Sequence, residues 1–307
     1  MSFKNFDYVG KSKIFYIFSI VITILGLVFL LTRGLNYGVD FQSGSNVDIS
    51  LSKTLTSEQI SSVLKEAGID EHAGITPGID RVNIRFSDVL TEEQDLKLRS
   101  GIEKLDDTAT FEVNTVDPEM AKELGRNAIY AVLISCIGII IYVSIRFEWR
   151  FAIAATIALL HDAFVVVSVF SILDLEVDLT FIIAVLTVIG YSINDTIVIF
   201  DRIRENLRFT KIKRFSDLKD LVNKSLSQTI GRSIYTALSV FIAALFLLLL
   251  GGESIQMFSL AICIGLVIGA YSSIFIASPL WLLFKGRNIN NNNKPNAPKP
   301  NKDKIEI

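Results

Sequence analysis

The sequence predicts a polytopic α-helical membrane protein, with six transmembrane helices and one small α+β domain between the first and second helices. Half of the 307 residues are hydrophobic, and the mean hydropathy is +0.47. This excess is concentrated in runs of about 18 or more apolar residues, the length that crosses roughly 30 Å of hydrocarbon. The charges of the loops and the pattern of the one long loop give the rest of the architecture.

The apolar runs define the predicted order of segments. The first run is longer than the roughly 7–15 residues of a signal-peptide core, so we expect it to be retained as a transmembrane helix. The segments are an N-terminus 1–13, helices at 14–32, 127–145, 151–173, 179–200, 233–250 and 255–284, an extracytoplasmic α+β domain at 33–126, a basic amphipathic loop at 201–232, and a disordered tail at 285–307.

The loops fall into two groups of opposite charge. One group carries 20 basic and 8 acidic residues, and the other carries 10 basic and 22 acidic residues. The basic group comprises residues 1–13, 146–150, 201–232 and 285–307, and the acidic group comprises 33–126, 174–178 and 251–254. Because basic loops stay on the cytoplasmic side, we expect both termini in the cytoplasm and the folded domain outside it.

The long loop has the pattern of a small folded domain. Its strands alternate between apolar and polar residues, and each of its two helices opens with a capping box. The order is a strand at 47–51, a helix opened by Thr56–Gln59 and closed by Gly68, a hairpin around Pro77–Gly78, a strand at 82–86, a helix opened by Thr91–Gln94, and a strand at 110–116. This β-α-β-β-α-β order predicts a ferredoxin-like sandwich.

The loop 201–232 predicts a helix with one apolar face, which carries Phe215, Leu218, Val222 and Leu226. We expect it to lie along the inner leaflet, attracted by anionic membrane lipid. A docking surface for a cytoplasmic partner is the alternative. Cys136 and Cys263 lie in apolar spans without metal-type spacing, so we expect no metal site and no cofactor.

A few ionisable residues fall inside the spans, where such residues are costly and tend to face a bundle interior or a water-filled path. His161 and Asp162 lie midway along the third span and Asp195 lies in the fourth. Arg232 stands at the mouth of the fifth span and could reach Asp195 to form an ion pair if the two spans are neighbours. Tyr191 and Asn194 accompany Asp195, so we predict a proton relay of Asp195, Arg232, Asp162, His161, Asn194 and Tyr191. The alternative is that these polar groups only hold helices together, at about 1 kcal/mol each.

The sixth span carries small residues at every fourth position, a spacing that places them on one face of an α-helix. Such a ridge allows close approach of a neighbouring helix and is explained by helix packing. The ridge comprises Ala261, Gly265, Gly269, Ser273 and Ala277.

Four segments resemble the SecF members of the SecD/SecF family. The seventeen residues from Gly190 to Asn206, which read Gly-Tyr-Ser-Ile-Asn-Asp-Thr-Ile-Val-Ile-Phe-Asp-Arg-Ile-Arg-Glu-Asn, are similar to the fourth span of that family. The others are Arg150–Ala154 with His161-Asp162, Tyr271–Pro279, and Gly38–Phe41. The chain departs from the family pattern in two places outside the spans, with Ser43-Gly44 for a double glycine and Val116-Asp117-Pro118 for Val-Gly-Pro.

This resemblance implies an RND-like bundle in the bacterial cytoplasmic membrane and a role in Sec-dependent protein export. It implies SecD, the SecYEG channel and an unfolded exported polypeptide as partners, and no nucleic acid. Protons would be the coupling ion, with Asp195 and Arg232 in their path.

Two other classes of membrane protein share part of this pattern. An intramembrane aspartyl protease needs two matched aspartates, but Asp195 lacks a Gly-x-Gly-Asp turn and its expected depth differs from that of Asp162 by about 8 Å, so we expect no enzymatic activity. A proton-coupled RND-type efflux half-transporter would share the relay and is the alternative function.

Overall fold

We describe a computed structural model of the chain. The structure describes residues 6–69, 74–78 and 80–292, with the backbone alone at 253–254 and 287–292. In these ranges, six helices are long and apolar enough to cross a membrane, which confirms the predicted fold class. They are α1 Tyr8–Thr32, α5 Pro118–Arg146, α6 Trp149–Leu173, α7 Leu179–Phe209, α8 Phe215–Leu250, and a composite sixth span made of α9 Glu253–Ser272, a π-helical segment Ser273–Ala277 and α10 Ser278–Asn292.

The helices pack around a centre made by α6, α7 and the sixth span. In the most apolar stretch of each helix, 50% of the residues of α6 and of α7 and 61% of those of the sixth span are buried, against 11% in α1, α5 and α8. The three outer helices therefore present their apolar side chains outward, as expected for faces in contact with lipid or another membrane protein.

Two predicted segments differ from the structure. The residues 201–232 do not form a separate helix on the membrane surface, because α7 continues to Phe209 and α8 already begins at Phe215. The apolar face predicted there is turned inward, with Leu218, Val222 and Leu226 buried against the bundle, since the apolar stripe continues that of the spans. The tail predicted to be disordered from residue 285 is helical as far as Asn292, and residues 293–307 lie outside the described part of the chain.

The small domain has the predicted β-α-β-β-α-β order. It consists of β2 Gly44–Ser50, α3 Ser57–Glu66, β3 Gly74–Pro77, β4 Arg81–Phe86, α4 Glu92–Glu103 and β5 Thr110–Val116. The sheet order is β3-β4-β2-β5 with every neighbouring pair antiparallel, as in a ferredoxin-like sandwich. Both predicted capping boxes are present, and the two helices cover one face of the sheet around Val47, Ile49, Ile60, Ile84, Leu98 and Ile102.

The first strand of the sheet begins at Gly44, a position at which only glycine fits. Its φ is +128°, and a Cβ at this position would lie 2.1 Å from the carbonyl oxygen of Phe86 on β4. Of the Ser43-Gly44 pair, which replaces a double glycine of the family pattern, Gly44 is therefore the position at which any side chain is excluded.

A short joint connects the domain to the bundle, and the sequence did not reveal it. After α1, strand β1 Asn36–Tyr37 pairs in parallel with β6 Glu176–Val177, which follows α6. The short helix α2 Val39–Gln42 comes next, and its Asp40 Oδ2 accepts a hydrogen bond of 2.9 Å from the backbone N–H of Leu179, the first residue of α7.

Carboxyl groups at this joint bind protons more tightly than usual. Burial raises the pKa of Glu176, opposed by the guanidinium of Arg85, which lies 3.0 Å away across the joint. Burial likewise raises the pKa of Asp178, opposed by the hydrogen bond that it accepts from Phe181 N–H. The folded protein therefore binds protons at these carboxyl groups more tightly than the unfolded chain does. The stability that both groups contribute decreases as the pH rises from the unfolded pKa through the raised folded pKa.

We therefore expect Glu176→Gln to flatten the pH dependence of stability. The wild-type melting temperature should fall between mildly acidic and neutral pH, and the variant should show a smaller fall, since the glutamine has no proton to lose. Thermal unfolding of the purified chain at a series of pH values measures this. Asp174→Asn, in the same loop and half exposed beside Arg33, is the matched control and should keep the wild-type slope; an equal flattening there would contradict the assignment to Glu176.

Candidate functional site

The first polar centre of the bundle is a cavity at Asp195. The cavity has a volume of about 280 Å³ and lies between α7, α8 and α9. Asp195 is 8% exposed on its wall. The structure brings the predicted residues Tyr191, Asn194 and Asp195 together here with Thr236 and Ser239 of α8. A carboxyl group in such a place can take up and release a proton through the cavity.

The predicted ion pair between Asp195 and Arg232 is not formed in this structure. No guanidinium nitrogen of Arg232 lies within 4.0 Å of the Asp195 carboxylate, and the Ser233 hydroxyl, one residue further along α8, is buried without a hydrogen-bond partner. The reason is the face of α8. Consecutive helical residues point about 100° apart, so the helix turns the buried Ser233 toward α7 and leaves Arg232 exposed.

The second polar centre is Asp162, which is fully buried. Its Oδ2 accepts hydrogen bonds from the Ser192 hydroxyl of α7 at 2.5 Å and from the Ser272 hydroxyl of α9 at 2.6 Å. Its Oδ1 lies 3.0 Å from Nδ1 of His161. One carboxyl group thus joins three helices, which matches the rule that a buried charge needs several partners.

His161 stands between this centre and the first helix. Its ring lies edge-on to that of Tyr271, with the centroids 6.0 Å apart, and its Nε2 is buried without a hydrogen-bond partner. The Tyr271 hydroxyl is hydrogen-bonded to Ser19 and donates to the Phe15 carbonyl on α1 at 3.3 Å. The predicted relay residues therefore form two groups, with Tyr191, Asn194 and Asp195 at the cavity, and His161 and Asp162 behind it.

Sequence reasoning missed the residue that joins the two groups. Ser192 lines the Asp195 cavity and also donates to Asp162. It lies three residues before Asp195, so its presence beside that residue was visible as helical spacing. Its second contact depends on the register between α6 and α7, which the sequence does not contain.

The small-residue ridge of the sixth span faces α7. A Cβ added at Gly265 would lie 2.1 Å from Cγ2 of Val188, and one added at Gly269 would lie 3.2 Å from Cβ of Ser192. Ala261 and Ala277 are fully buried. Ser273 departs from simple packing, because its hydroxyl lies 2.8 Å from that of Thr196 and it is the first residue of the π-helical segment Ser273–Ala277.

In the described part of the chain, no group of three or more histidine, cysteine, aspartate or glutamate side chains could hold a metal ion. Cys136 and Cys263 are both free thiols, and Cys263 is buried in the bundle.

Comparison with known families agrees with the observed fold. The family described as "Protein export membrane protein SecD/SecF, C-terminal" matches residues 97–287, and the "SecD/SecF GG Motif" matches residues 28–55. The chain belongs to the SecD/SecF family. The resemblance seen in the sequence is therefore confirmed, and the family is one of protein export and not of small-molecule efflux.

Individual relatives agree with this family. The SecF protein translocase subunit of Alicyclobacillus acidocaldarius is 43% identical over 93% of this chain and 94% of its own length. The SecDF subunit of Bacillus subtilis is 47% identical over 94% of this chain, but the chain spans only 39% of that relative.

Solved structures show the same relation. SecDF of Thermus thermophilus, a translocon-associated membrane protein, superposes with a TM-score of 0.83 at 33% identity, over 94% of this chain and 40% of that one. A SecDF structure in a super-membrane-facing form gives 0.66 at 31% identity with the same coverage. The fold of this chain is therefore that of the SecF part of a SecDF protein.

Proposed function

We propose that this chain is the SecF-type subunit of a Sec protein-export complex and that it couples proton movement to a late stage of export. Its partners would be a SecD-type chain, the SecYEG channel and the unfolded exported polypeptide. The observation that carries the proposal is the buried carboxyl of Asp195 on the wall of a cavity inside a bundle of this family. Such a subunit moves a polypeptide without making or breaking its bonds, so no enzymatic step is part of the proposal.

Proton movement supplies enough energy for this role. One elementary charge that crosses 100 mV releases about 2.3 kcal/mol, which is enough to shift a two-state equilibrium by more than tenfold. Protonation of Asp195 would remove its negative charge from the field of the Arg232 guanidinium. The bundle could then favour a second arrangement of α7 against α8, and repeated cycles would move the folded domain.

The domain would lie outside the bacterial cytoplasmic membrane, with both termini in the cytoplasm. The loop charges support this orientation, since the described parts of the basic group, at 6–13, 146–150, 201–232 and 285–292, stand at the end of the bundle opposite to the domain. The apolar faces of α1, α5 and α8 would meet lipid and the SecD-type partner.

Cysteine labelling of intact cells tests the orientation. In a background without Cys136 and Cys263, we expect a membrane-impermeant maleimide to label Glu58→Cys in the domain and to leave Ser227→Cys on α8 unlabelled. The Glu58 side chain is exposed and that of Ser227 is partly exposed, so both thiols can react once the reagent reaches their side of the membrane. Labelling of Ser227→Cys alone in intact cells would contradict the proposed topology and indicate the opposite orientation. Permeabilised cells, in which both positions should react, are the control.

Co-purification separates export from the efflux alternative. A tagged copy of the chain should retain a SecD-type subunit and SecYEG in mild detergent, and cells that lack the chain should accumulate unexported precursor without becoming sensitive to drugs. Drug sensitivity with normal export would instead support efflux.

A further inference from the structure

The sixth span is not a continuous α-helix. The segment Ser273–Ala277 between α9 and α10 is π-helical, with its hydrogen bonds one residue longer than those of an α-helix. Such segments are rare, are less stable than α-helix, and occur frequently at functional sites. They persist where the surroundings satisfy the backbone groups that the wider turn leaves without partners.

Side chains from three helices hold this segment. The Ser278 hydroxyl donates to the Ser273 carbonyl at 2.9 Å, and the Tyr16 hydroxyl of α1 donates to the Ile276 carbonyl at 3.2 Å. The hydroxyls of Ser273 and Thr196 of α7 lie 2.8 Å apart. The π-helical form is thus fixed by contacts from outside, and a change in those contacts would alter it.

The residue immediately before the segment is tied to a titratable group. Ser272, the last residue of α9, donates to Oδ2 of Asp162, which also accepts from Ser192. We propose that Ser192 and Ser272 are positioning residues, which join Asp162 to the start of the π-helical segment so that protonation of Asp162 changes the packing of α10 against α6. This inference rests on the proposed function for its role in the export cycle.

The hydrogen bonds of Asp162 indicate which of its contacts changes when the carboxylate takes up a proton. The carboxylate accepts hydrogen bonds at both oxygens, from His161 at Oδ1 and from two serines at Oδ2. A proton on Oδ1 would require Nδ1 of His161 to become the acceptor and would place the ring hydrogen on the buried, unpartnered Nε2, which costs free energy. A proton on Oδ2 needs only one serine hydroxyl to become the acceptor. Ser272 can make this change, because the Gly269 carbonyl, 3.2 Å away, can accept its hydrogen in place of Asp162. Protonation therefore reorients a serine hydroxyl and replaces a hydrogen bond to a charged oxygen by a neutral one.

The groups that face Asp162 are few. On its own helix stands His161, and Tyr271 stands on α9, hydrogen-bonded to Ser19 of α1. In the described part of the chain, no lysine or arginine forms an ion pair with Asp162, and its acid–base partner at 3.0 Å is His161. Ser192 opens the site to the Asp195 cavity, so a proton has a route from that cavity to Asp162.

Trp281 of α10 reports the movement. It is fully buried and stacked on Phe151 of α6, with the ring centroids 4.5 Å apart and the planes at 11°. The chain has two tryptophans, and the other, Trp149, is exposed, so Trp149→Phe leaves Trp281 as the one fluorophore of its kind.

The experiment follows Trp281 emission of the full Trp149→Phe chain in lipid nanodiscs as a function of pH. We expect a transition that disappears in Asp162→Asn. In Ser192→Ala and in Ser272→Ala its midpoint should move by about one pH unit to higher pH, because a hydrogen bond to the charged form is lost. Ser272→Thr, which keeps the hydroxyl, should restore the midpoint. Ser259→Ala is the matched control, since Ser259 is also buried on α9 but its hydroxyl has no hydrogen-bond partner.

Two results would overturn the inference: emission that does not change with pH, or a midpoint that moves as far in Ser259→Ala as in Ser272→Ala. The same titration in Asp195→Asn keeps the test separate from the proposed function. If the transition persists there while proton-driven export does not depend on Asp195, the proposed function fails and this inference stands. If export depends on Asp195 but no Trp281 transition exists, the inference fails alone.

Discussion

Inverted membrane vesicles that carry Asp195→Asn should complete export of a secreted reporter at the rate that wild-type vesicles show without a proton gradient, whether or not a gradient is applied. Asparagine keeps the shape and a hydrogen-bonding capacity close to those of aspartate but cannot take up or release a proton. The whole of the gradient-dependent acceleration should therefore be lost, and the gradient-independent rate should remain. The measurement is the late-stage export rate with and without the gradient, for wild type and variant.

Asp201→Asn is the control for this experiment. Asp201 lies on the same helix α7, but it is half exposed at the end away from the domain, where Arg204 and Arg146 surround it. We expect this variant to respond to the gradient like wild type. If Asp195→Asn also responds like wild type, the polar face of α7 serves helix packing alone, and the chain is at most a scaffold for its partner.

The second large effect is expected for Gly265→Ala. The added methyl group would lie 2.1 Å from Cγ2 and 2.9 Å from Cβ of Val188, so α7 and α9 must move apart at the centre of the bundle. Overpacking of a well-packed core costs about 1–3 kcal/mol, and the displaced helices carry the walls of the Asp195 cavity. We expect a lower free energy of unfolding in mixed micelles and a slower gradient-driven export.

The matched pair of variants makes this prediction specific. Gly138→Ala on α5 adds the same methyl group where no neighbouring atom lies within 4 Å, so it should leave stability unchanged or slightly raise it. Val188→Ala in the Gly265→Ala background removes the clashing methyl groups and should recover part of the loss. A loss in Gly138→Ala equal to that in Gly265→Ala would show that the effect is not one of contact with α7.

The six spans and the small domain could be predicted from local sequence patterns. The spans follow from run length, and the domain follows from its alternating strands and from the capping boxes at Thr56 and Thr91, which the structure reproduces. Such signals need only neighbouring residues, and so they could be read directly. The small residues at every fourth position of the sixth span are also a local pattern. This spacing continues without interruption through Ser273–Ala277, so it gave no sign of the π-helical segment. That segment depends on Tyr16, Thr196 and Ser278, whose contacts lie outside the pattern.

The site shows the same division. Asp195 with Tyr191 and Asn194 could be predicted because one helix carries all three. The Asp195–Arg232 pair was expected because a long arginine side chain at the mouth of the fifth span could reach Asp195. Contact between helices is decided by their faces, however, and α8 buries Ser233 and leaves Arg232 exposed. The Asp162 centre needs the relative rotation of α6, α7 and α9, which no single segment records. The β1–β6 joint is two residues long on each side, too short for any alternating pattern to reveal it.

That joint gives α7 a double connection. The first residue of the helix, Leu179, donates its backbone N–H to Asp40 on α2, four residues before the sheet of the domain begins at Gly44. Asp195 lies sixteen residues further along the same helix. At 1.5 Å per residue the two points are about 24 Å apart, and the helix is uninterrupted between them. An axial shift of α7 at Asp195 would therefore displace Leu179 by the same distance. Because Leu179 is hydrogen-bonded to α2, the shift would move the base of the domain directly, without a flexible linker between them.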